Sequence, residues 1–576
     1  MRLRLRLRLA EFLRLSELQI TLFWAGVIGF TGACLSLGFR KLTELLHAVF
    51  TGHAGSYVES FSHLPVWARL AVPALGGVLA GLTVFLGMRW RRGQNSTDYM
   101  EAIVLGDGVV SARSSLLKCL SAMFSISSGA SIGREGPLVQ LSAMGASLLG
   151  RWRKASTLQR RLLVACGAAA GIASAYNAPI AGAMFVAEII LQSMAMETFG
   201  PLVFASVVAT ITTRQLQGDH PLYELASVRL GSHWEIIPLV FLGIGAGLVA
   251  PWFLRLLRWS ERAFARWSLP AYARLGLGGL LVGVIAMRAP EVCGNGYSVV
   301  NQLLRDGAIW QVLLLVLGLK VLATAITFGS GAMGGVFTPT LFIGAALGYL
   351  AWDGIHLFWP APLRPEIFTA VGMGAFLAAT THAPIMAIIM LFELTLDYQL
   401  ILPLMLACVL AHYTCLGFEK RSIYAESLRR KGAGQLRRRT WALTVGELMK
   451  PAPIQVPETA GFRTIAENFV ANRFNYLYVT DAEGRFRGAI SLHDVKSYLH
   501  TEELAELVIA RDIMRERFPT LSPDASLSEA LERFATHDGE RIPVVSTRIG
   551  GRLIGSVAKS ELFLALAEAA GPSPGS

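Results

Sequence analysis

Charge is scarce in this chain. Only 16% of its 576 residues are Asp, Glu, Lys or Arg, while 53% are hydrophobic and the mean hydropathy is +0.49. A soluble domain carries about a quarter charged residues, so the composition points to an α-helical polytopic membrane protein. Cysteine is also sparse. Cys34, Cys119, Cys166, Cys293, Cys408 and Cys415 lie scattered through the apolar region without paired spacing, which indicates neither disulfides nor a metal site. The glycine loops hold no paired Ser/His or Asp/Asp signature, so an intramembrane hydrolase lacks its nucleophile and base, and no enzymatic activity is expected. Long unbroken apolar runs are few as well. Candidate spans are Leu18–Gly38, Leu70–Met88, Leu239–Leu254, Leu275–Met287, Val312–Phe328 and Ile401–Leu416. Several fall short of the ~20 apolar residues an upright helix needs. Half-helices and tilted helices with buried ends are the physical alternative.

The net charge of +12 is concentrated in a few places. Arg2, Arg4, Arg6 and Arg8 crowd the start, Arg89, Arg91 and Arg92 share a short loop, and Arg151–Arg161 and Arg429–Arg439 are two further basic stretches. Excess Lys and Arg marks cytoplasmic loops. The expected location is the cell membrane (inner or plasma membrane), multi-pass, with both termini cytoplasmic. A solvated surface facing membrane lipid accounts for the basic residues without a nucleic-acid partner. The Arg/Leu alternation before Ser16 lacks the apolar core of a cleaved signal, and an interfacial helix on the inner leaflet is expected there.

What the chain does contain is one piece of polypeptide used twice. Ser128-Gly129-Ala130-Ser131-Ile132-Gly133-Arg134-Glu135-Gly136-Pro137 aligns without gaps on Ser330-Gly331-Ala332-Met333-Gly334-Gly335-Val336-Phe337-Thr338-Pro339. Asn177-Ala178-Pro179-Ile180 recurs as His382-Ala383-Pro384-Ile385, and each copy reaches a glutamate eight residues later, Glu188 and Glu393. Matching broken apolar segments in two halves of a membrane protein point to a transport site at the repeat interface. The glycine loops read as starts of helices, whose free N–H groups and dipole attract an anion. Two such starts at the bilayer midplane would hold a permeating anion without a buried full positive charge. Glu135, a carboxylate among membrane-embedded glycines, is a functional candidate by its cost alone. Magnesium transport would need several oxygen ligands, and the repeat supplies one central acid.

These motifs, together with Asn177-Ala178-Pro179-Ile180-Ala181-Gly182, resemble the CLC family of chloride channels and proton-coupled chloride transporters, from roughly Ser16 to Tyr424. The resemblance implies an antiparallel two-part fold with an internal inverted repeat, assembled as a homodimer with a pore in each subunit. It makes Glu135 the gating glutamate, which competes with chloride and takes a proton. The anion-binding set it implies is Thr97, Gly133, Arg134, Gly136, Gly335, Val336, Phe337 and Tyr424, with the N–H groups of Val336 and Phe337 and the Tyr424 hydroxyl at the central ion.

Two departures matter. The family's Gly-Ser-Gly-Ile-Pro-Glu stands here as Ser96-Thr97-Asp98-Tyr99-Met100-Glu101, which keeps a hydroxyl for the anion at Thr97, or at Ser96, but loses the glycines and the proline. The preferred anion is therefore open. In proton-coupled members two successive acids follow Asn-Ala-Pro, and the second receives intracellular protons. Here Glu188 fills the first position and Ile189 the second, and isoleucine relays no proton. The expected function is chloride (anion) transport, as channel or transporter, with weak or no proton coupling. The alternatives are a chloride/proton antiporter with a non-standard proton route, through water, Glu188 or Glu197, and, more distantly, a cation transporter with a regulatory tail. Glu188 and Glu393 are read equally as structural ties, Lys320 as snorkelling or structurally paired, and His382 as a loop or helix-cap histidine.

From Thr444 the texture becomes that of a soluble α/β module, itself duplicated. Glu447-Leu448-Met449 recurs as Asp512-Ile513-Met514, and 488–495 recurs as 555–562. In the first copy Pro453–Val456, Asn475–Val479 and Phe486–Ile490 read as strands and Thr464–Val470 as a helix. The pair resembles tandem cytoplasmic CBS domains. The expected division is an N-terminal segment 1–17, a membrane domain 18–420 with repeats of roughly 18–225 and 226–420, a basic linker 421–443, and CBS units 444–505 and 506–570. The resemblance makes an adenine nucleotide a possible ligand, with Ser491 and Asp494 at its ribose. A ligand-free regulatory and dimerisation module is the equal alternative. No other cofactor is expected.

Overall fold

The computed structural model describes residues 17–53, 55–89, 98–104, 106–218, 222–223, 234, 236–358, 364–424, 444–451, 454–471, 476–496, 507–535, 540–546 and 550–562. The chain divides into two compact units, Met1–Leu428 and Arg429–Ser576. Among the described residues of the first unit, seven helices are long and apolar enough to cross a bilayer. Five of the six runs read from the sequence fall on such spans, and the sixth is the short helix Ala271–Ala286. Met196–Gln217 and Phe337–Phe358 are two further spans. Polar residues and a proline or glycine near their starts lower the local hydropathy that a sequence reading relies on. Large apolar side chains such as Phe241, Trp252, Leu315 and Leu402 stand exposed on the spanning helices, as suits contact with lipid.

The internal repeat is visible in the backbone. Helix Ala112–Ser127 is followed by a glycine loop and helix Glu135–Trp152, just as Trp310–Gly329 is followed by Phe337–Phe358. Gly129 and Gly331 take φ values of 91° and 89°, a region open to glycine without a Cβ penalty. Helices Thr157–Tyr176 and Pro365–Thr381 both end on left-handed caps, Asn177 (φ 57°) and His382 (φ 58°). Helices Pro179–Met184 and Pro384–Thr395 follow. The second ends on a left-handed Leu396, whereas the first continues as a π-helical turn, Phe185–Leu191, ending on a left-handed Gln192. The first copy thus carries one residue more between its proline and its left-handed cap, and a π turn is the backbone's way of absorbing such an insertion.

Helices Pro179–Met184 and Pro384–Thr395 have alanine at the N-cap, with no side-chain acceptor, and proline at the first helical position. The first N–H groups in need of a partner therefore belong to the next two residues. The other repeat supplies it. Ile180 N and Ala181 N donate to Glu393 Oε1 and Oε2 at 2.9 and 2.8 Å, and Ile385 N and Met386 N donate to Glu188 Oε1 and Oε2 at 3.2 and 2.7 Å. Each carboxylate closes a helix start that carries partial positive charge. Both glutamates are ties between repeats.

Of the two readings of Lys320, the structurally paired one holds. The side chain does not snorkel. Fully buried, its Nζ donates to Val292 O and Gly294 O at 2.9 and 2.8 Å and lies 5.4 Å from the Phe342 ring centroid.

The second unit holds two three-stranded sheets. In one, Gln455–Pro457 runs parallel to Tyr476–Thr480, which pairs antiparallel with Phe486–Ser491. In the other, Lys450–Pro451 and Arg541–Ser546 flank Arg552–Ala558. Helices Phe462–Ala471 and Leu527–Ala535 accompany them. The strands and helix read from the sequence match within two residues over the described positions, and Pro453 and Asn475 lie outside the described residues. The copies interlock: Lys450 of the first pairs with Ser556 of the second, and Arg515 of the second bridges to Ala489 of the first.

Candidate functional site

The two glycine loops meet. Gly133 N donates to Gly335 O at 2.7 Å and Gly335 N to Gly133 O at 2.9 Å, a small antiparallel bridge joining the repeats. Glu135 opens its helix beside this bridge and is 4% exposed. Its Oε1 accepts a hydrogen bond from the Thr338 hydroxyl, and its Oε2 is buried with no hydrogen-bond partner among the described residues. A Cβ on Gly133 would stand 1.9 Å from that oxygen, and one on Gly335 would stand 2.8 Å from it. Only glycine at these positions leaves room for the carboxylate. An acceptor-only group is thus wedged between the starts of two helices.

A cavity of about 240 Å³ opens beside it, lined by Glu135, Gly136, Gly335, Val336, Phe185 and Tyr424 among others. Tyr424 is held by an edge-on contact with Phe185, centroids 5.4 Å apart, and by its neighbour Ile423, whose N–H donates to Thr380 O at 3.2 Å. The structure therefore gathers Glu135, Gly136, Gly335, Val336 and Tyr424 at one cavity, with Gly133 at the bridge. Phe337 is buried, its ring 5.0 Å from Tyr176.

Arg134 goes elsewhere. It lines a second cavity of about 390 Å³ with Glu44, His47, Tyr57 and Tyr297, and its guanidinium lies 3.8 Å from Glu44. Thr97 and Ser96 fall outside the described residues. Asp98 and Lys118, which the sequence reading passed over, line the first cavity. So does Gln140, whose Oε1 accepts from Tyr99 N at 3.3 Å and whose Nε2 donates to Ser115 Oγ at 2.8 Å. Thr338 was within reach of a sequence reading, since it sits inside the Gly335–Pro339 motif. Tyr176 directly precedes Asn-Ala-Pro, but nothing local signals its contact with Thr338, 162 residues away.

Of the acids near the coupling position, Glu188 is committed to the backbone of the other repeat and Glu197 is exposed. Ile189 is buried within the π turn.

In the second unit Ser491 Oγ donates to Asp494 Oδ2 at 2.7 Å, and Arg515 grips both oxygens of Asp494 at 3.0 and 2.7 Å. Partial burial pushes the Asp494 carboxyl up, but the hydrogen bonds from Arg515 and Ser491 outweigh it and hold the group below the usual aspartate range. Glu561, the counterpart in the second copy, accepts from Ala558 N at 2.9 Å and pairs with Lys450 at 2.6 Å. Burial pushes it up too, and Lys450 and the Ala558 N–H bring it below the usual range. Both acids thus have partners inside the unit.

Duplicated broken helices, a carboxylate between their starts and an adjoining cavity define a membrane transport protein whose path is built for an anion. The family profile described as "Voltage gated chloride channel" matches residues 76–416, and CBS domain profiles match 445–501 and 510–568. The chain belongs to the CLC voltage-gated chloride channel family and carries a tandem CBS pair. A protein of Ralstonia nicotianae named "Putative chloride channel protein ClcB-like" is 51% identical over 419 residues, covering 72% of this chain and 97% of the relative. "Voltage-gated ClC-type chloride channel ClcB" of Salmonella typhimurium is 39% identical over 409 residues, covering 70% and 97%. Among solved structures, a slow cyanobacterial Cl⁻/H⁺ antiporter matches with TM-score 0.64 and 28% identity, covering 73% of this chain and 99% of that one. A eukaryotic CLC transporter matches over 95% of this chain and 99% of its own with TM-score 0.61, and its 18% identity speaks to fold alone.

Proposed function

We propose that this chain conducts chloride through the path beside Glu135, that Glu135 is its gate, and that coupling to protons is weak or absent. The observation that carries this reading is the carboxylate wedged between Gly133 and Gly335. A seated Glu135⁻ occupies a place suited to an anion, and a protonated, displaced Glu135 frees it. The N–H groups of Val336 and Phe337 and the Tyr424 hydroxyl serve the neighbouring ion, with Gly133, Gly136 and Gly335 giving it close access to backbone. Arg134 acts from the far cavity as an attracting charge, and Thr97, outside the described residues, is the proposed hydroxyl donor to the same ion.

Weak coupling rests on Ile189, which cannot relay a proton, and on the commitment of Glu188 to the Ile385 and Met386 N–H groups. The alternative is exchange through another route, and the relatedness to a solved Cl⁻/H⁺ antiporter supports keeping it. We assign 18–420 to transport, 421–443 to a linker, and 444–505 and 506–570 to regulation, in a homodimer of the bacterial inner membrane with both termini cytoplasmic. An adenine nucleotide at Ser491 and Asp494 would have to take Asp494 from Arg515.

The decisive experiment is chloride efflux from liposomes containing the purified chain, with proton movement recorded under a potassium/valinomycin clamp. Glu135→Gln should keep efflux and lose its pH dependence. Wild-type pH dependence in that variant would remove Glu135 as the gate. Proton pumping at a fixed chloride-to-proton ratio would replace passive flow by exchange.

A further inference from the structure

The hydroxyl that meets Glu135 belongs to a chain of hydroxyls. Thr338 has one proton and donates it to Glu135 Oε1. Its oxygen is then an acceptor, so the Tyr176 hydroxyl, 3.3 Å away, is the donor of that pair. With Glu135 ionised the order runs Tyr176 → Thr338 → Glu135, and each bond polarises the next; the Tyr176 phenol also reaches Glu135 itself, and the Tyr297 phenol reaches Thr338 and Tyr176. All three residues are buried, at 1%, 1% and 4% exposure. Thr338 comes from the second repeat and the other two from the first, so the chain crosses the join beside the Gly133–Gly335 bridge.

We propose that Thr338, backed by Tyr176, is a latch that holds the ionised Glu135 carboxylate in the anion's place, and so sets how readily the gate opens. The proposal rests on the reading of Glu135 as the gate. The physical basis is selectivity for one protonation state. A hydrogen bond to a carboxylate is charge-assisted and about twice as strong as one to a neutral acceptor. The latch therefore grips Glu135⁻ and loosens when the group takes a proton. Thr338 and Tyr176 are positioning residues, since neither needs to touch the moving ion.

Other groups act on the same carboxylate. Arg134 lies on its own loop, and the phenols of Tyr176, Tyr297, Tyr223 and Tyr424 are within its electrostatic reach. Asp98, Lys118 and the Cys119 thiol share its cavity. Phenols, thiols, Lys and Arg ordinarily titrate at about pH 8.5 or above; the remaining ionisable groups are Asp98 in this cavity and Glu44 and His47 beside Arg134, and their neutral variants are the controls.

The test is chloride efflux against pH between about 4.5 and 7.5, with the full-length chain in liposomes, the Asp98→Asn, Glu44→Gln and His47→Gln backgrounds serving as controls. Thr338→Val keeps the shape and removes the donor. Its efflux midpoint should move upward by about one pH unit, the size of effect a charge-assisted bond carries, with efflux at neutral pH rising up to about tenfold. Thr338→Ser restores the donor and should behave as wild type. Tyr176→Phe should shift the midpoint in the same direction by less. The proposal is overturned if Thr338→Val keeps the wild-type midpoint, or if Thr338→Ser shifts as far as Thr338→Val, since that would be packing. Should Thr338→Val not assemble, Tyr176→Phe decides, and an unmoved midpoint there overturns the latch. A failure of the gate reading shows separately, as wild-type pH dependence in Glu135→Gln.

Discussion

The membrane unit and the tail are both duplications, and in both an acid of each copy reaches into the other copy or meets a residue coming from it. Their partners differ. In the membrane unit Glu188 and Glu393 take pairs of backbone N–H groups at helix starts. In the tail Asp494 and Glu561 take Arg515 and Lys450, cations that are 58% and 67% exposed. The contrast follows the surroundings. On an apolar helix whose start has no side-chain cap, the bare N–H groups and a half-buried carboxylate are each costly, and joining them satisfies both without importing a cation. Where water is present, a flexible cation can be solvated in either state, so the tie is weak and adjustable. One duplication is tied by what it cannot leave unpaired, the other by charges that can let go.

The comparison can be broken most forcefully in the membrane unit. Glu393→Ala or Glu188→Ala orphans two N–H groups, and each should cost about 2 kcal/mol or more, seen as a lowered melting temperature and lost monodispersity in detergent. The Gln variants keep one acceptor and should fall about midway. An alanine variant as stable as wild type would mean the caps are incidental.

A smaller effect is expected in the tail. Arg515→Ala should cost about 1 kcal/mol or less, and less still at high salt, because the pair is largely open to solvent. Hydrogen exchange of Phe486–Ser491 in the full-length protein measures it. A loss as large as that of Glu393→Ala, and insensitive to salt, would erase the distinction drawn here. Acid tests the same pair. Asp494 is held below its usual value, so its contribution is complete above the unfolded range near pH 4 and fades as pH falls through the lower, folded value. Between pH 5 and 8 this pair should contribute no pH dependence.

The smallest effect concerns selectivity. Removing 444–576 should leave the chloride reversal potential where it is, because the residues around Glu135 all precede that point. Changes in rate or assembly fit a regulatory tail. A changed ion preference would show that the tail shapes the path.

Much of this was legible in the sequence, and the reasons differ by residue. The glycine loops could be aligned because a close backbone approach leaves glycine little substitute, and Gly133 and Gly335 do meet. Glu135 stood out because an acid there is costly. Asn177 and His382 matched in position although their chemistry differs, since both tolerate a left-handed backbone. Illegible were the contacts set by tertiary placement. Arg134 and Glu135 are adjacent in the chain yet face different cavities. Lys320 reads equally as snorkelling or structurally paired until two carbonyls from a distant turn are seen around it. The Thr338–Tyr176 pair joins two repeats, and neither residue announces the other.

The π turn at Phe185–Leu191 has a consequence for the protein's history. A duplicated gene begins with copies of equal length, and here one copy of the Pro-to-cap segment is a residue longer than the other. The surplus falls after the glutamate that ties the repeats, so the two halves kept their mutual fastening while one of them changed length. An insertion in such a place is close to reversible. A chain lacking one of residues 189–191 could run that segment as an ordinary α-helix, in step with its sister, and still bring Glu188 to the same two N–H groups. Length drift between the halves is thus tolerated on one side of a fixed fastening point.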